Sequence, residues 1–420
     1  MDEHPVRVTV TDDLRRNRWT VFFRYIPLSI PLIVWLGLWG IAAVIAGFVN
    51  WLVTLIAGRS PEPLFDFLAS YFRYATHVYA YVLLAANPYP WFTADRGYPV
   101  DVEFGRSLPQ NRWKTGFRIL LALPAIVVTG ALVDGAPYSW DAQANGGGGS
   151  MSFRTAGTGV AVTVAFLAWF AILARGRMPR GFRDLVAFCL RYAAQTYAYV
   201  FVLTERYPDA DPALPESFEP APPSPVRLTL DDDPRRSRLT VLFRGLLFLP
   251  HLVWLALWSI AAFFALIAIW VATVVSGRPP AGLHRFLSSY LRYAVHIFAF
   301  LALIGGPFPG FNGAQGSYPV DLELPGPEPQ GRWGAFFRLV LAIPALAVAS
   351  ALDGVLVVSA VLAWFFSLVT AREPVGLQRL GAFALRYTAQ TDAYAFLLTG
   401  RYPYSGPATH VADEQLALAE

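Results

Sequence analysis

The chain has 420 residues, 55% of them hydrophobic and only 15% charged, with a mean hydropathy of +0.43. Soluble domains carry about 25% charged residues, so this composition excludes a body solvated on all sides and points to a polytopic membrane protein. The net charge of +4 rests on 32 arginines and one lysine, Lys114, and the single cysteine, Cys189, excludes internal disulfides and cysteine-built metal sites.

No secretory signal is expected, because MDEHPVRV is mixed in charge and the first apolar run begins near Trp19. One block then repeats four times. Trp51, Trp169, Trp270 and Trp364 are each followed, seven residues on, by Gly58, Gly176, Gly277 or Ala371, and next by Arg59, Arg177, Arg278 or Arg372. Pro61, Pro179, Pro280 and Pro374 stand two further on. Fourteen residues after the first arginine comes a second, Arg73, Arg191, Arg292 or Arg386, followed by Tyr74, Tyr192, Tyr293 or Tyr387. The block closes on Pro90, Pro208, Pro309 and Pro403 without a gap in any copy. Self-similarity at this level marks a repeat architecture. Upstream, Arg18, Arg112, Arg238 and Arg332 each precede by six residues Arg24, Arg118, Arg244 and Arg338.

The repeats are A (1–92), B (93–208), A′ (226–311) and B′ (312–404), a duplication of a duplication, with a tail at 405–420. A proline-rich acidic linker, 209–225, joins the halves and is unable to form helix or central strand. Repeat B carries an insertion of about 25 residues, about 134–157, holding Asp134, Asp141, Arg154 and the glycines 146–149.

Each repeat opens on a short alternating stretch: PVRVTV (5–10), YPVDVEF (98–104), SPVRLTL (224–230) or YPVDLEL (318–324). Period-two alternation predicts a strand with one apolar face, and four such strands suit one small cytosolic sheet. An apolar stretch of about 40 residues follows between the flanking arginines, as from Arg18 to Arg59. One straight helix of that length would run about 60 Å, twice the ~30 Å of hydrocarbon, so a helical hairpin with a tight outer turn is expected. Pro31, Pro124, Pro250 and Pro344 fall inside its first helix.

The third helix of each repeat is amphipathic. In A′ it sets Leu283, Phe286, Leu287, Tyr290, Leu291, Ala294, Phe298 and Leu301 on one face and His284, Arg285, Ser288, Arg292 and His296 on the other. As a spanning helix it would hold Arg292 near mid-bilayer at a cost of about 2.5–3.5 kcal/mol. An interfacial helix with the arginine toward water or headgroups avoids that. Two spans per repeat keep every arginine-flanked segment on one side and leave Asp134, Asp141, Asp353 and Arg154 outside, as the positive-inside rule expects. The fold class expected is thus an all-α polytopic membrane protein with about eight membrane helices, short strands on the cytosolic side and both termini cytoplasmic. Twelve spans in inverted repeats remain the alternative.

The combination W-x6-G-R-x-P, L-R-Y, A-Y and a closing R-Y-P resembles a bacterial membrane family, domain-of-unknown-function family 4389, frequent in actinobacteria. The resemblance covers essentially the whole chain as tandem copies and implies a location in the bacterial plasma membrane; it brings no catalytic residues. Repeats A and A′ depart from it, with NPYP (87–90) and GPFP (306–309) in place of RYP, and A′ has Phe300 where the others have Tyr81, Tyr199 and Tyr394.

Reactive chemistry is sparse. The GGGG run lacks a following Lys-Ser/Thr and reads as a flexible linker. None of His4, His77, His251, His284, His296 and His410 makes a metal-ligand spacing, and no catalytic residue, metal or cofactor is expected. His77 and His296 alternate with Gln195 and Gln390 in the B repeats, which asks for a hydrogen-bonding side chain rather than a proton shuttle. His251, beside Pro250, is the intramembrane polar candidate.

Arg73, Arg191, Arg292 and Arg386 with their tyrosines, and Arg59, Arg177, Arg278 and Arg372, are candidates for anionic lipid headgroups, at about 1 kcal/mol each. Their plain structural alternative is hydrogen bonding to carbonyls at the helix ends. Interleaved acids (Asp12, Asp13, Asp231, Asp232 and Asp233) argue against nucleic acid. The leading expectation is a non-enzymatic membrane scaffold or lipid-interacting module. A transporter or channel, for which Asn50, Thr54, His251, Thr273 and Ser350 are the thin polar candidates, stands second, and a lipid-directed membrane enzyme third.

Overall fold

A computed structural model describes residues 4–133, 158–213 and 220–407. The expected insertion, with its Asp134, Asp141, Arg154 and glycine run, lies outside the described residues. So do the middle of the linker and the tail beyond 407. The described residues form two units, 4–133 with 158–209 and 210–213 with 220–407.

Unit 1 runs β1 (Val6–Val10), α1 (Arg18–Phe23), a π-helical turn (Arg24–Leu28), α2 (Ser29–Ala57), α3 (Glu62–Val82), β2 (Val100–Phe104), α4 (Arg112–Gly116), α5 (Arg118–Leu132), α6 (Val160–Arg175) and α7 (Arg180–Val200). Unit 2 runs β3 (Arg227–Leu230), α8 (Arg238–Ser276), α9 (Ala281–Leu301), β4 (Val320–Glu323), α10 (Arg332–Phe336), α11 (Arg338–Thr370) and α12 (Val375–Ala395).

The strands form where the alternation places them. Val6 and Val8 are buried while Arg7 and Thr9 are exposed. They pair differently from the expectation of one sheet: among the described residues β1 pairs only with β2, antiparallel with Val6 opposite Phe104, and β3 only with β4, with Arg227 opposite Glu323. A two-stranded sheet is marginal alone but is stabilised by a helical floor. Here β1 rests on α7 and β2 on α3, and in unit 2 β3 rests on α12 and β4 on α9.

The expected helical hairpins of A, A′ and B′ are not found. The helices α2, α8 and α11 run unbroken for 29, 39 and 33 residues. The reason lies in the backbone. A turn inside such a stretch would strand up to four C=O groups on the side before it and four N–H groups on the side after it, among apolar side chains that offer nothing to cap them. Even Asp353-Gly354 stays helical within α11, so Asp353 is not in an outer loop. The count of about eight membrane helices rested on those hairpins and goes with them. Three described helices, α2, α8 and α11, are long and apolar enough to cross a membrane, and α5 and α6 are shorter apolar helices flanking the insertion.

The third helices, α3, α7, α9 and α12, have 21 residues each. In unit 2 they run antiparallel: His284 near the start of α9 lies 3.1 Å from the Leu398 carbonyl past the end of α12, and Gln378 near the start of α12 donates to the Ile304 carbonyl past the end of α9. Each unit thus has three layers: long apolar helices, a central helix pair, and a small sheet. Most of the polar face of α9, expected to meet water or headgroups, is instead covered: His284, Ser288, Arg292 and His296 are buried, while Arg285 is exposed. The sheet and its flanking loop supply partners to Arg292 and His296, and the Leu398 carbonyl past α12 supplies His284.

Candidate functional site

The repeated W-x6-G-R-x-P stretch is a helix end, a turn and a helix start. Gly58, Gly176 and Gly277 take φ of 75°, 69° and 75°, the left-handed region that glycine adopts without cost. Ala371 does the same at 56°. The following proline caps the next helix. The tryptophan reaches into the other repeat of its unit: Trp51 Nε1 donates to Thr115 O (2.8 Å), Trp169 to Val21 O (3.3 Å), Trp270 to Ala335 O (3.1 Å) and Trp364 to Val241 O (3.1 Å). The turn itself also joins the two, since Gln110 N donates to Gly58 O, Arg16 N to Gly176 O, Gln330 N to Gly277 O and Arg236 N to Ala371 O. Repeats A and B, and A′ and B′, therefore clasp each other reciprocally.

Two sets of arginines are held in this framework: the first is buried throughout, and of the second Arg292 is buried while Arg73, Arg191 and Arg386 are half-buried. Arg24, Arg118, Arg244 and Arg338 donate to carbonyls at or just past the end of the third helix of their own repeat, at Tyr81 and Ala86, Thr204, Gly305 and Gly306, and Thr399. Each guanidinium also lies over an aromatic ring, Tyr81, Tyr199, Phe300 or Tyr394, at 4.0–4.4 Å. Phe300 thus keeps the face that the arginine needs.

The L-R-Y arginines form the second set. Arg73 Nε donates to Val102 O and Arg292 Nε to Leu322 O, each with an aspartate at 3.6 Å (Asp101, Asp321). Arg386 donates to Gly406 O, and Arg191 lies over Phe188. Their tyrosines, Tyr74, Tyr192, Tyr293 and Tyr387, are buried.

Both forms of the His/Gln position hydrogen-bond. His77 Nε2 donates to Asp101 Oδ1 and His296 Nε2 to Asp321 Oδ1, each at 2.8 Å, whereas Gln195 and Gln390 donate to the Val6 and Val226 carbonyls. Burial lowers the His296 pKa, although Asp321 pulls it back up. Burial alone would raise Asp101, but bonds from His77, Gly97 and Val102 hold its carboxyl below the usual range. Sequence reasoning missed Asp101 and Asp321; the signal was the aspartate in YPVD, present in both B-type strands and absent from both A-type ones.

His251 is buried, with Nδ1 2.9 Å from the Tyr293 hydroxyl and its ring stacked on Phe311 at 4.3 Å. At the matching position of repeat A stands Leu32. Of the polar candidates for a conduit, Asn50 donates to Phe201 O and Thr273 to Ile269 O, both bonds inside the packing.

Unit 1 has a partly open pocket of about 220 Å³ among α2, α3, α5 and α7, lined by Tyr71, Thr76, Thr129, Val133, Ala193 and Tyr197. At the corresponding places of unit 2 stand Asp353, Thr388 and Asp392, in place of Val133, Ala193 and Tyr197. Thr388 Oγ1 donates to Asp353 Oδ1 at 2.9 Å. Burial first, and the Asp353 carboxylate second, push the Asp392 carboxyl up to about 7. Sequence reasoning missed Asp392 as well.

The arginines of the turn, Arg59, Arg177, Arg278 and Arg372, are exposed at the surface, as are Arg18, Arg112, Arg238 and Arg332. They share the helix ends with Trp19, Trp113 and Trp333, exposed at 75%, 79% and 77%. Between these ends α2, α8 and α11 present Leu, Ile, Val, Phe and Trp side chains to the outside. A long apolar flank bounded by arginine and tryptophan is what a lipid layer would meet.

No curated protein and no solved structure matches the chain. A family model described as Domain of unknown function (DUF4389) matches residues 18–94, 153–210, 238–309 and 332–405. These four segments cover more than half of the sequence in the same four-fold repetition, and the chain belongs to that family.

Proposed function

We propose that the protein is a non-enzymatic integral-membrane scaffold, or lipid-interacting module, of the bacterial plasma membrane, with both termini cytoplasmic. The observation that carries this reading is the exposed apolar flank of α2, α8 and α11, ending in solvent-facing arginines and tryptophans. A continuous apolar surface of this extent is not left against water in a soluble monomer. The L-R-Y arginines serve the fold, and the headgroup contacts fall to Arg59, Arg177, Arg278 and Arg372, near enough to a surface to gain about 1 kcal/mol each from anionic lipid.

The test is retention in membranes washed with alkaline carbonate, followed by measurement of phosphatidylglycerol co-purifying per molecule. The wild type should stay in the pellet and carry anionic lipid. Release by carbonate would sink the membrane reading, and equal lipid in a variant with all four turn arginines changed to glutamine would sink the headgroup role.

A further inference from the structure

The central helices carry their two flanking layers at the same level. In α9, Tyr293 meets His251 of α8, while its neighbour Arg292 donates to Leu322 O of β4. In α3, Tyr74 stacks on Trp39 of α2 at 5.4 Å, while Arg73 donates to Val102 O of β2. Each sheet therefore lies opposite the interior of a long helix, not beyond its end. His251 is about 20 Å from the start of α8 and about 38 Å from its close, at ~1.5 Å per residue.

Crossing the membrane along the α8 axis would hold that sheet at hydrocarbon depth. The sheet cannot tolerate this. Each unit's sheet has only two strands, so each strand has an unpaired edge; Arg227 and Thr229 are exposed on this one, and Arg7, Thr9 and Glu103 on that of unit 1. Open sheet edges facing lipid do not occur in the hydrocarbon region.

The helix ends make the same point. Arg238 at one end of α8 donates to Val369 O, beside Arg372, while Arg278 and Arg332 gather at the other end, joined by the bond from Gln330 N to Gly277 O. A crossing helix would send those two basic groups to opposite faces of the membrane.

Resting on the membrane reading above, we infer that each unit is monotopic: its long helices run in the plane of the membrane within one leaflet. The central pair then lies at headgroup level and the sheet in water. The dimensions agree. A helix of about 10–12 Å diameter fits one leaflet of a ~30 Å hydrocarbon core, and a helix of 39 residues, too long to cross upright, has no length limit in the plane. The polar face that an interfacial helix normally carries itself is supplied here by the layers stacked on it. Every basic helix end reaches the same headgroup layer.

The test uses the full chain in right-side-out and inverted membrane vesicles, with a membrane-impermeant maleimide. Cys189 is fully buried and reports unfolding if it reacts. Ser237→Cys and Ser276→Cys bracket α8, and Thr229→Cys marks the outer face of β3; all three sites are exposed. Labelling of all three in one and the same vesicle orientation is expected, with the chain still resistant to carbonate. Labelling of Ser237→Cys and Ser276→Cys in opposite orientations, or protection of Thr229→Cys in both, overturns the in-plane arrangement. Should a unit 2 variant unfold, Arg15→Cys and Glu62→Cys, exposed at the two ends of the corresponding segment of unit 1, are read the same way. Release of the chain by carbonate instead overturns the membrane reading itself, whatever the labelling pattern.

Discussion

The indole N–H of Trp364, near the end of α11, donates to the main-chain carbonyl of Val241, near the start of α8, at 3.1 Å. Trp270 returns the bond from α8 to Ala335 in α10. Two repeats that could have folded as separate hairpins are thereby tied end to end. The repeated tryptophan is thus a fastener between repeats and not only a marker of headgroup depth.

Changing Trp364 to phenylalanine keeps most of the ring and removes the N–H. The loss should be about 1 kcal/mol, the usual net worth of one hydrogen bond. Trp270→Phe should cost a similar amount. Thermal unfolding in detergent checks both, and an unchanged midpoint in the double variant would show that the fastening is incidental.

The turn after α11 places alanine where the other three repeats use glycine, at φ 56°. An L side chain in the left-handed region costs about 1–2 kcal/mol. Ala371→Gly should therefore stabilise the protein, and Gly277→Ala, at φ 75°, should destabilise it by a similar amount. Opposite shifts in unfolding temperature are the expected outcome, and a loss of stability in Ala371→Gly would show that the turn is held by something other than backbone preference.

His296 is kept neutral by burial, its pKa lowered from 6.5. The unfolded chain then binds more protons than the folded one as pH falls below about 6.5, so the stability this group contributes is full above that value and lost on acidification. In His296→Gln, the choice of the B repeats at this position, that part of the acid sensitivity should vanish. Unfolding midpoints of both proteins between pH 7.5 and about 5 measure it, and parallel pH profiles would contradict the assignment.

Asp392 has the opposite sign. Its carboxyl is raised from 3.8 to about 7, so the folded chain holds a proton that the unfolded chain has released, and stability declines as pH rises through that window. Asp392→Asn, which mimics the protonated group, should gain little at pH 4 and most above pH 7. A gain independent of pH would mean that the carboxyl is already neutralised by a partner.

Much of this was legible in the sequence because it is local. Proline and glycine mark the turns, alternation marks β1 to β4, and the third helices start directly after their prolines. What escaped is non-local. Apolarity cannot distinguish a helical hairpin from one long helix, since both bury the same residues; the cost of uncapped backbone decides, and composition does not display it. Arg292 looked like a water-facing arginine because its partners, Leu322 O, Gly313 O and Asp321, lie 21–30 residues further along the chain. The strand alternation likewise predicted one apolar face but not which strand would pair with which.

The same distinction separates the arginines by experiment. Arg292 is buried and donates to two carbonyls beside Asp321, so Arg292→Leu leaves a buried carboxylate and carbonyls without their cation. Breaking such a pair costs about 3–5 kcal/mol. The yield of folded protein should fall steeply while anionic lipid per folded molecule stays constant. Arg278 and Arg372 are exposed on the turns. The double change to glutamine should leave the unfolding midpoint within about 0.5 kcal/mol equivalent, as surface substitutions do, and should lower phosphatidylglycerol per molecule. The two readouts must move in opposite variants. If Arg292→Leu lowered lipid per folded molecule while the turn variant did not, the headgroup contacts would belong to the L-R-Y arginines, and the assignment made from the bonds of Arg292 within the fold would be wrong.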